Sequence, residues 1–441
     1  MRKNNILNWI KLSSFIFALS SLFASCSNEL DEALQPANNG TLQFVVSDFP
    51  MFGEGIQTRV IGTQDEGKTA WGNGDEIIVT LISQKYGEQA VALTYNGSSW
   101  GTEASLSYLE NETPSVSVFY APCYEVTEEG TMQLRSGMQL GMTEYLSGNY
   151  EIENGIMTIT FEGAIRDYSR LRIAGLANQT LTVTTTDFTP AGATEVATAA
   201  YTLTTDNNGN AFLYGVFAEG ATVSVKQGNV VLKDYTFTAD KNPGGSEHNK
   251  SYALDARPVI DGTLGGKTTV TKEEVNALVE QLKEYVDNGI TTIIVPGTEY
   301  AMYKSNLGTI PAFAEALYLL TDLNEDSPYC GTIDLILPDA TEIIDFSFDS
   351  ADALKSITLP KVTTVGDGAF YGCYYLQTIT FGSVVTAINH NTKAEFHWVG
   401  KKVGGCDLVL NREQVNAEAD YQPNIETRTW WNTEWKSITL K

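Results

Sequence analysis

Ile357-Thr-Leu-Pro-Lys-Val-Thr-Thr-Val-Gly-Asp-Gly-Ala-Phe-Tyr-Gly-Cys-Tyr-Tyr-Leu376 decides the fold, because the chain repeats it. Leu337-Pro338, Leu359-Pro360 and Phe381-Gly382 open three similar phrases, each 22 residues after the last. The same step joins Ala340, Val362 and Val384, then Ile343 and Val365, Phe348 and Phe370, and Leu354 and Leu376. A unit this short cannot bury its apolar face alone, whereas stacked copies can, so the period predicts a solenoid. Upstream, Ile290-Thr-Thr-Ile-Ile-Val-Pro296 reads as a strand lying 42 residues before Leu337-Pro338, close to two periods, and is expected to form the first rung. Between them, residues 311–322 read as an inserted helix with Phe313, Leu317 and Leu320 inward. Thr271-Lys-Glu-Glu274 is a capping box opening a helix whose Val275, Leu278, Val279, Leu282, Tyr285 and Val286 share one face, and Asn288-Gly289 stops it. That helix is expected to cap the amino-terminal end of the repeats, which would otherwise expose their core. Ser437-Ile-Thr-Leu440 echoes Ser356-Ile-Thr-Leu359 and predicts a fourth rung after an irregular gap.

The fullest copy, with its Leu-Pro, Val-Gly, Ala-Phe and Cys-x-x-Leu beats, resembles the BspA-type leucine-rich repeats of bacterial surface proteins. The stretch from Asp407-Leu-Val-Leu to Trp435-Lys-Ser-Ile-Thr-Leu440 resembles the closing segment of the same surface family. The resemblance implies adhesion or partner binding, and it leaves the ligand open.

At 441 residues the chain is too long for one ordinary core and implies about three domains. A hydrophobic content of 42% with 10% aromatics is ample for packed cores, which excludes wholesale disorder. The formal charge of −26 argues against a nucleic-acid partner, since that affinity comes from Lys and Arg neutralising phosphates.

Residues 1–25 read as an export signal: Arg2 and Lys3, an apolar core from Leu12 to Phe23 too short to span a membrane, then small residues. Leu22-Phe-Ala-Ser-Cys26 resembles a lipobox, with Phe23 where an aliphatic residue is usual. The resemblance makes Cys26 the acylated first residue of a lipoprotein held to the outer membrane by its lipid alone. Ser27-Asn-Glu-Leu-Asp-Glu32 looks like the acidic export tag of Bacteroidetes lipoproteins, which implies display on the cell exterior. Residues 26–40, polar and turn-rich, read as a tether.

From residue 41 to 256 the pattern is β throughout. Glu76-Ile-Ile-Val-Thr-Leu-Ile82 and Ser115-Val-Ser-Val-Phe-Tyr120 alternate, and Asn96-Gly97, Asn154-Gly155, Asn208-Gly209 and Gly228-Asn229 are hairpin signals. The expected architecture is mainly β: two β-sandwiches, 41–140 and 141–256, with the seam between residues 136 and 149, then the repeat domain over 257–441 with its helical cap. Thr58-Arg-Val60 followed by Thr69-Ala-Trp-Gly-Asn-Gly-Asp-Glu-Ile-Ile-Val79 resembles the fimbrillin-like family, as does the closing strand Asn249-Lys-Ser-Tyr-Ala-Leu254. The residues alone place Trp71 in the core, a turn at 72–75, and Ile77 and Val79 inward. What the resemblance implies is assembly by strand addition after cleavage at an arginine, which makes Arg59 the candidate cut site.

Chemistry is sparse. His390 and His397 with Cys406 match no zinc spacing, no Gly-x-Ser-x-Gly elbow exists, and no catalytic residue, metal site or cofactor is expected. A two-carboxylate glycan hydrolase stays open on 54 acidic residues alone and ranks third. Cys123, Cys330, Cys373 and Cys406 are widely spaced; Cys373 suits a small buried position, and a Cys330–Cys373 disulfide stays open. Asp349-Ser350-Ala351 matches the short O-glycosylation motif of such bacteria. Trp430, Trp431 and Trp435 are the candidate partner-binding aromatics, though a cover over the solenoid's open end is the favoured reading of the same rings. The expectation is a non-catalytic surface adhesin that binds a host or bacterial protein or glycan through its repeat head. The alternative is a fimbrial subunit or tip component joined to other subunits.

Overall fold

The computed structural model describes residues 43–50, 68–109, 112–153, 155–161, 166–306, 308–322, 324–389 and 395–441. Cys26, Arg59 and His390 lie outside them. The fold is mainly β, as the alternation predicts, and no described helix is long and apolar enough to cross a membrane.

Nine strands make the first unit: β1 (Gln43–Val46), β2 (Glu76–Ser83), β3 (Gly87–Tyr95), β4 (Trp100–Gly101), β5 (Ser115–Tyr120), β6 (Tyr124–Val126), β7 (Met132–Leu134), β8 (Leu146–Glu153) and β9 (Ile156–Thr160). Seven of them run β1-β9-β8-β5-β2-β3-β4, with β6 and β7 as a separate hairpin. Strand β8 serves two layers: Leu146–Gly148 faces β5, and Asn149–Glu153 faces β9. Between the layers lie Ile77, Val79, Leu81 and Val118 from one side and Met157 and Ile159 from the other. Trp71 packs against that core as expected, edge-on to Phe49, Trp100 and Tyr120, and its indole N–H donates to the Ser47 carbonyl at 2.8 Å.

The second unit comprises β10 (Ser169–Ala174), β11 (Thr180–Pro190), β12 (Ala197–Thr204), β13 (Asn210–Phe217), β14 (Thr222–Gln227), β15 (Val230–Thr236) and β16 (Ser251–Asp255). Its order is β15-β14-β11-β13-β10-β16, with β12 beside β11. Strand β11 bends at Asp187, whose φ is 49°, so that Thr182–Thr185 pairs with β14 and Phe188–Pro190 with β13. Two sequence expectations shift here. The change of sheet falls between Thr160 and Ser169, not between 136 and 149, because β9 turns back to pair in parallel with β1 and closes the first core. Asn208-Gly209 does form a turn, but the strands it joins pair with other neighbours rather than with each other.

The third unit holds helix α1 (Lys272–Asp287), β17 (Thr292–Ile294), β18 (Met302–Lys304), β19 (Thr309–Pro311), helix α2 (Ala312–Thr321), β20 (Ile333–Ile336), β21 (Glu342–Ile343), β22 (Leu354–Leu359), β23 (Thr364–Val365), β24 (Thr378–Phe381), β25 (Ala387–Ile388), β26 (Asp407–Leu410), β27 (Thr429–Trp430), β28 (Thr433–Glu434) and β29 (Ser437–Leu440). Six parallel strands stack as β17-β20-β22-β24-β26-β29, opposite a smaller sheet β21-β23-β25. The step is 22 residues from Asp334 to Ser356 and from Ser356 to Thr378, but 42 from Thr292 to Asp334. The rung at β17 is therefore the immediate neighbour of β20, with β18, β19 and α2 looped out between them. Steps of 29 and 30 carry the stack to β26 and β29, so Asp407–Leu410 is a rung that the period did not reveal. The small sheet slips by one residue, pairing Thr364 with Ala387, so Val385 rather than Val384 fills the core place of Val362. Inside, Phe348, Phe370 and Phe396 stack at 5.6 and 5.7 Å with planes 13° and 9° apart. Burying each ring contributes roughly 1.5–3 kcal/mol, a gain that one repeat alone could not secure.

The units interlock. Ala191, Tyr214 and Val216 pack on the first core, and Met142 packs on the second. The β14–β15 turn rests on the end of α1: the Asn229 N–H donates to Asn288 Oδ1 at 2.9 Å, Gln227 donates to the Gly289 carbonyl at 3.2 Å, and Val230 enters the solenoid core.

Candidate interaction surface on the repeats

A third ladder of backbone hydrogen bonds runs along the turns that precede the large-sheet strands. Phe348 N donates to the Ala369 carbonyl (2.9 Å), Ser350 N to Tyr371 (2.7 Å), Phe370 N to Glu395 (2.9 Å) and Gly372 N to His397 (2.9 Å). This ladder holds Asp349, Tyr371 and His397 in one row, and Ser350, Gly372 and Trp398 in the next. All three residues of the second row have positive φ, at 55°, 68° and 64°. Glycine adopts that backbone freely; a tryptophan there costs roughly 1–2 kcal/mol.

Trp398 nevertheless stands 40% exposed at that position. Its ring centroid lies 4.5 Å from His397, 5.3 Å from Tyr371 and 6.0 Å from Tyr374, the last nearly parallel at 19°. Tyr371 and His397 stack at 5.8 Å and 21°, and Lys401 Nζ sits 5.2 Å from the Trp398 ring. Beneath the cluster Asp352 is buried and accepts from Tyr374 N at 3.0 Å; burial pushes its carboxyl up to about 6, with Glu325 adding to the rise and Lys402 opposing it. Asp349, raised by burial as well, accepts from Ser350 Oγ at 2.7 Å. The rings thus sit on a backbone ladder and on partnered side chains, a stiff base for an exposed surface.

The outward row of the large sheet is different in kind. Thr292, Asp334, Ser356, Thr378, Asp407 and Ser437 align across the six strands. Asp334 accepts from Ser356 Oγ (2.6 Å) and Lys355, and Asp407 accepts from Ser437 Oγ (2.7 Å) and Lys436. These carboxylates are spent on their neighbours. A cleft of about 330 Å³ opens between the β18–β19 hairpin and the first repeats, walled by Tyr300, Phe313, Leu337 and Phe348 with Glu299 and Glu342.

The sequence candidates fall elsewhere. Trp430 and Trp435 are only 1% and 2% exposed; their rings abut Phe396 and their indole N–H groups donate to the Tyr421 and Trp430 carbonyls. They close the far end of the core. Trp431 is half-buried and stacks on Tyr421 at 5.3 Å with planes 3° apart. His397 belongs to the aromatic cluster, and Cys406 is buried with its thiol pushed up by desolvation. Among the described residues no three His, Cys, Asp or Glu side chains converge on a metal position, and the four described cysteines are free thiols. Trp398 escaped the sequence reading because the step from Gly372 to Trp398 is 26 residues, off the period of 22.

The model of the BspA type Leucine rich repeat region (6 copies) matches residues 329–395. Residues 329–395 are a BspA-type leucine-rich-repeat region. The BspA-type match thus covers β20 to β25, and the strands beyond it extend the same sheet. No curated protein matches the chain. Two solved structures resemble parts of it. One is a candidate cell adhesion protein from Bacteroides fragilis NCTC 9343, at 10% identity and a TM-score of 0.28, over 49% of this chain and 92% of that one. The other is a mutant of the shaft pilin spaA from Lactobacillus rhamnosus GG, at 12% identity and a TM-score of 0.16, over 42% and 93%. Neither score amounts to a shared fold.

Proposed function

We propose that this chain is a non-catalytic surface adhesin that binds a protein or glycan partner through its repeat head. The observation that carries the reading is the Tyr371, Tyr374, His397 and Trp398 cluster, exposed on a rigid ladder at a cost in backbone strain. A strained backbone that holds a part-exposed aromatic ring points to function. The BspA-type repeats agree in kind with adhesion. Cys26 would carry the lipid that holds the chain to the outer membrane, facing outward, and the sandwiches would serve as its stalk. Among the carboxyl-terminal tryptophans, Trp431 alone offers part of a ring to a partner. The test is retention, under flow, of beads coated with the full chain on fibronectin, collagen and mucin surfaces. Retention that falls when Trp398 is changed supports the reading, and no retention on any surface refutes it.

A second reading, fimbrial assembly, is favoured by one observation. Strand β1 lies ahead of Arg59 and pairs in parallel along β9, over Met157 and Ile159. Cleavage at Arg59 would remove β1 and bare that edge to a strand from another subunit. Denaturation-resistant ladders that disappear with Arg59→Ala would support it.

A further inference from the structure

We propose that the Trp398 cluster is a binding site for a neutral hexopyranose-containing glycan; this rests on the adhesion reading and names its partner. The π faces of Trp398 and Tyr374 are nearly parallel, with 6.0 Å between centroids, and Tyr371 and His397 flank them. An aromatic face is electron-rich, and the axial C–H face of a pyranose is the weakly positive, apolar surface that stacks on it. A sugar also needs donors and acceptors around its rim. The Tyr371 and Tyr374 hydroxyls, the exposed His397 imidazole and the Lys401 ammonium beside Trp398 supply both.

One observation favours a sugar over a protein partner, and a second its charge class. Among the described residues, the other large apolar side chains exposed on the repeat domain, Val259, Val415 and Ile425, come from segments before β17 and after β26, so the Trp398 cluster is an isolated aromatic patch on the repeats. A protein interface buries about 800 Å² on each side around an apolar centre, which this island lacks. The net charge of −26 repels anionic polymers, so the sugar is neutral. The backbone adds a third argument. Position 398 has the positive φ that Gly372 supplies one turn earlier, so the chain holds a tryptophan where glycine would relax the turn.

That position supplies a clean variant, because Trp398→Gly removes the ring and relieves the backbone together. The full chain is titrated by calorimetry with maltohexaose, cellohexaose, mannohexaose and chitohexaose, with a heparin oligosaccharide as the acidic comparison. The expected result is binding of at least one neutral oligosaccharide, a loss of tenfold or more in Trp398→Gly and in Tyr374→Ala, and a melting temperature in Trp398→Gly equal to or above that of the parent. No neutral oligosaccharide binding, binding of heparin alone, or unchanged affinity in Trp398→Gly overturns the proposal. The bead assay separates the two failures: retention on fibronectin or collagen without sugar binding sinks the glycan and keeps the adhesin, and no retention anywhere sinks both.

Discussion

Ser350, Gly372 and Trp398 occupy one backbone position in successive turns, and the three side chains show what that position is used for. Gly372 makes the turn without strain, Ser350 turns its hydroxyl onto Asp349, and Trp398 holds a part-exposed ring over Tyr371 and Tyr374 on a positive-φ backbone. A neighbouring residue carries a pH signature. The folded chain holds the Asp352 proton up to about 6 because burial disfavours the carboxylate, whereas the unfolded chain releases it in the ordinary range near 4. The native state therefore binds this proton more tightly. Its contribution to stability is full below about pH 4 and is lost as the pH rises through about 6. Asp352→Asn keeps an acceptor for Tyr374 N but cannot titrate. Urea midpoints of parent and variant should consequently diverge between pH 4 and 7, with the parent losing ground as the pH rises. A gap that does not change with pH would contradict this assignment.

Elements that obey a local rule were legible in the sequence, and those that depend on distant pairing were not. Helix α1 begins and ends where its capping box and Asn288 place it, with Glu274 N donating to Thr271 Oγ1 and Thr271 N to Glu274 Oε2. Thr271→Ala should cost about 0.5–2 kcal/mol, read from denaturant midpoints, and a cost near zero would show that helix packing alone fixes the start. The repeats were legible for the same reason, since 22 residues bring each rung back to the same side chains. Rung β26 was not, because steps of 29 and 30 erase the pattern on either side of it. The sheet change after Thr160 was hidden as well, since it depends on β1 pairing with β9 more than a hundred residues away. The tryptophans divide for a related reason. Three of them close together in sequence offer a surface or an end cover, and two do fill the end of the core as the cover reading has it, while Trp398 draws its aromatic company from the previous repeat.

At the scale of the whole molecule, the second sandwich supports the repeat domain from below. Val230 leaves its own hairpin to enter the solenoid core, and the turn before it is bonded to the end of α1; a Cβ at Gly228 would meet Asn288 Oδ1 at 2.7 Å. Val230→Asp would bury an unpaired carboxylate at that junction. Calorimetry should then resolve an early repeat-domain transition from a later sandwich transition, where the parent chain melts with the two coupled; one unsplit peak at the parent temperature would show that the junction is passive. A firm junction would suit the proposed head on its stalk, and the two proposed readings put the partner at different places, the Trp398 cluster and the β9 edge beneath β1. Bead retention under flow on immobilised neutral hexasaccharides, with the full chain as parent, Trp398→Gly or Arg59→Ala, sets these against each other most directly. Trp398→Gly is expected to lose retention at a melting temperature equal to or above the parent's, while Arg59→Ala keeps it. Retention that survives in Trp398→Gly and vanishes in Arg59→Ala would contradict it and transfer the function to strand assembly.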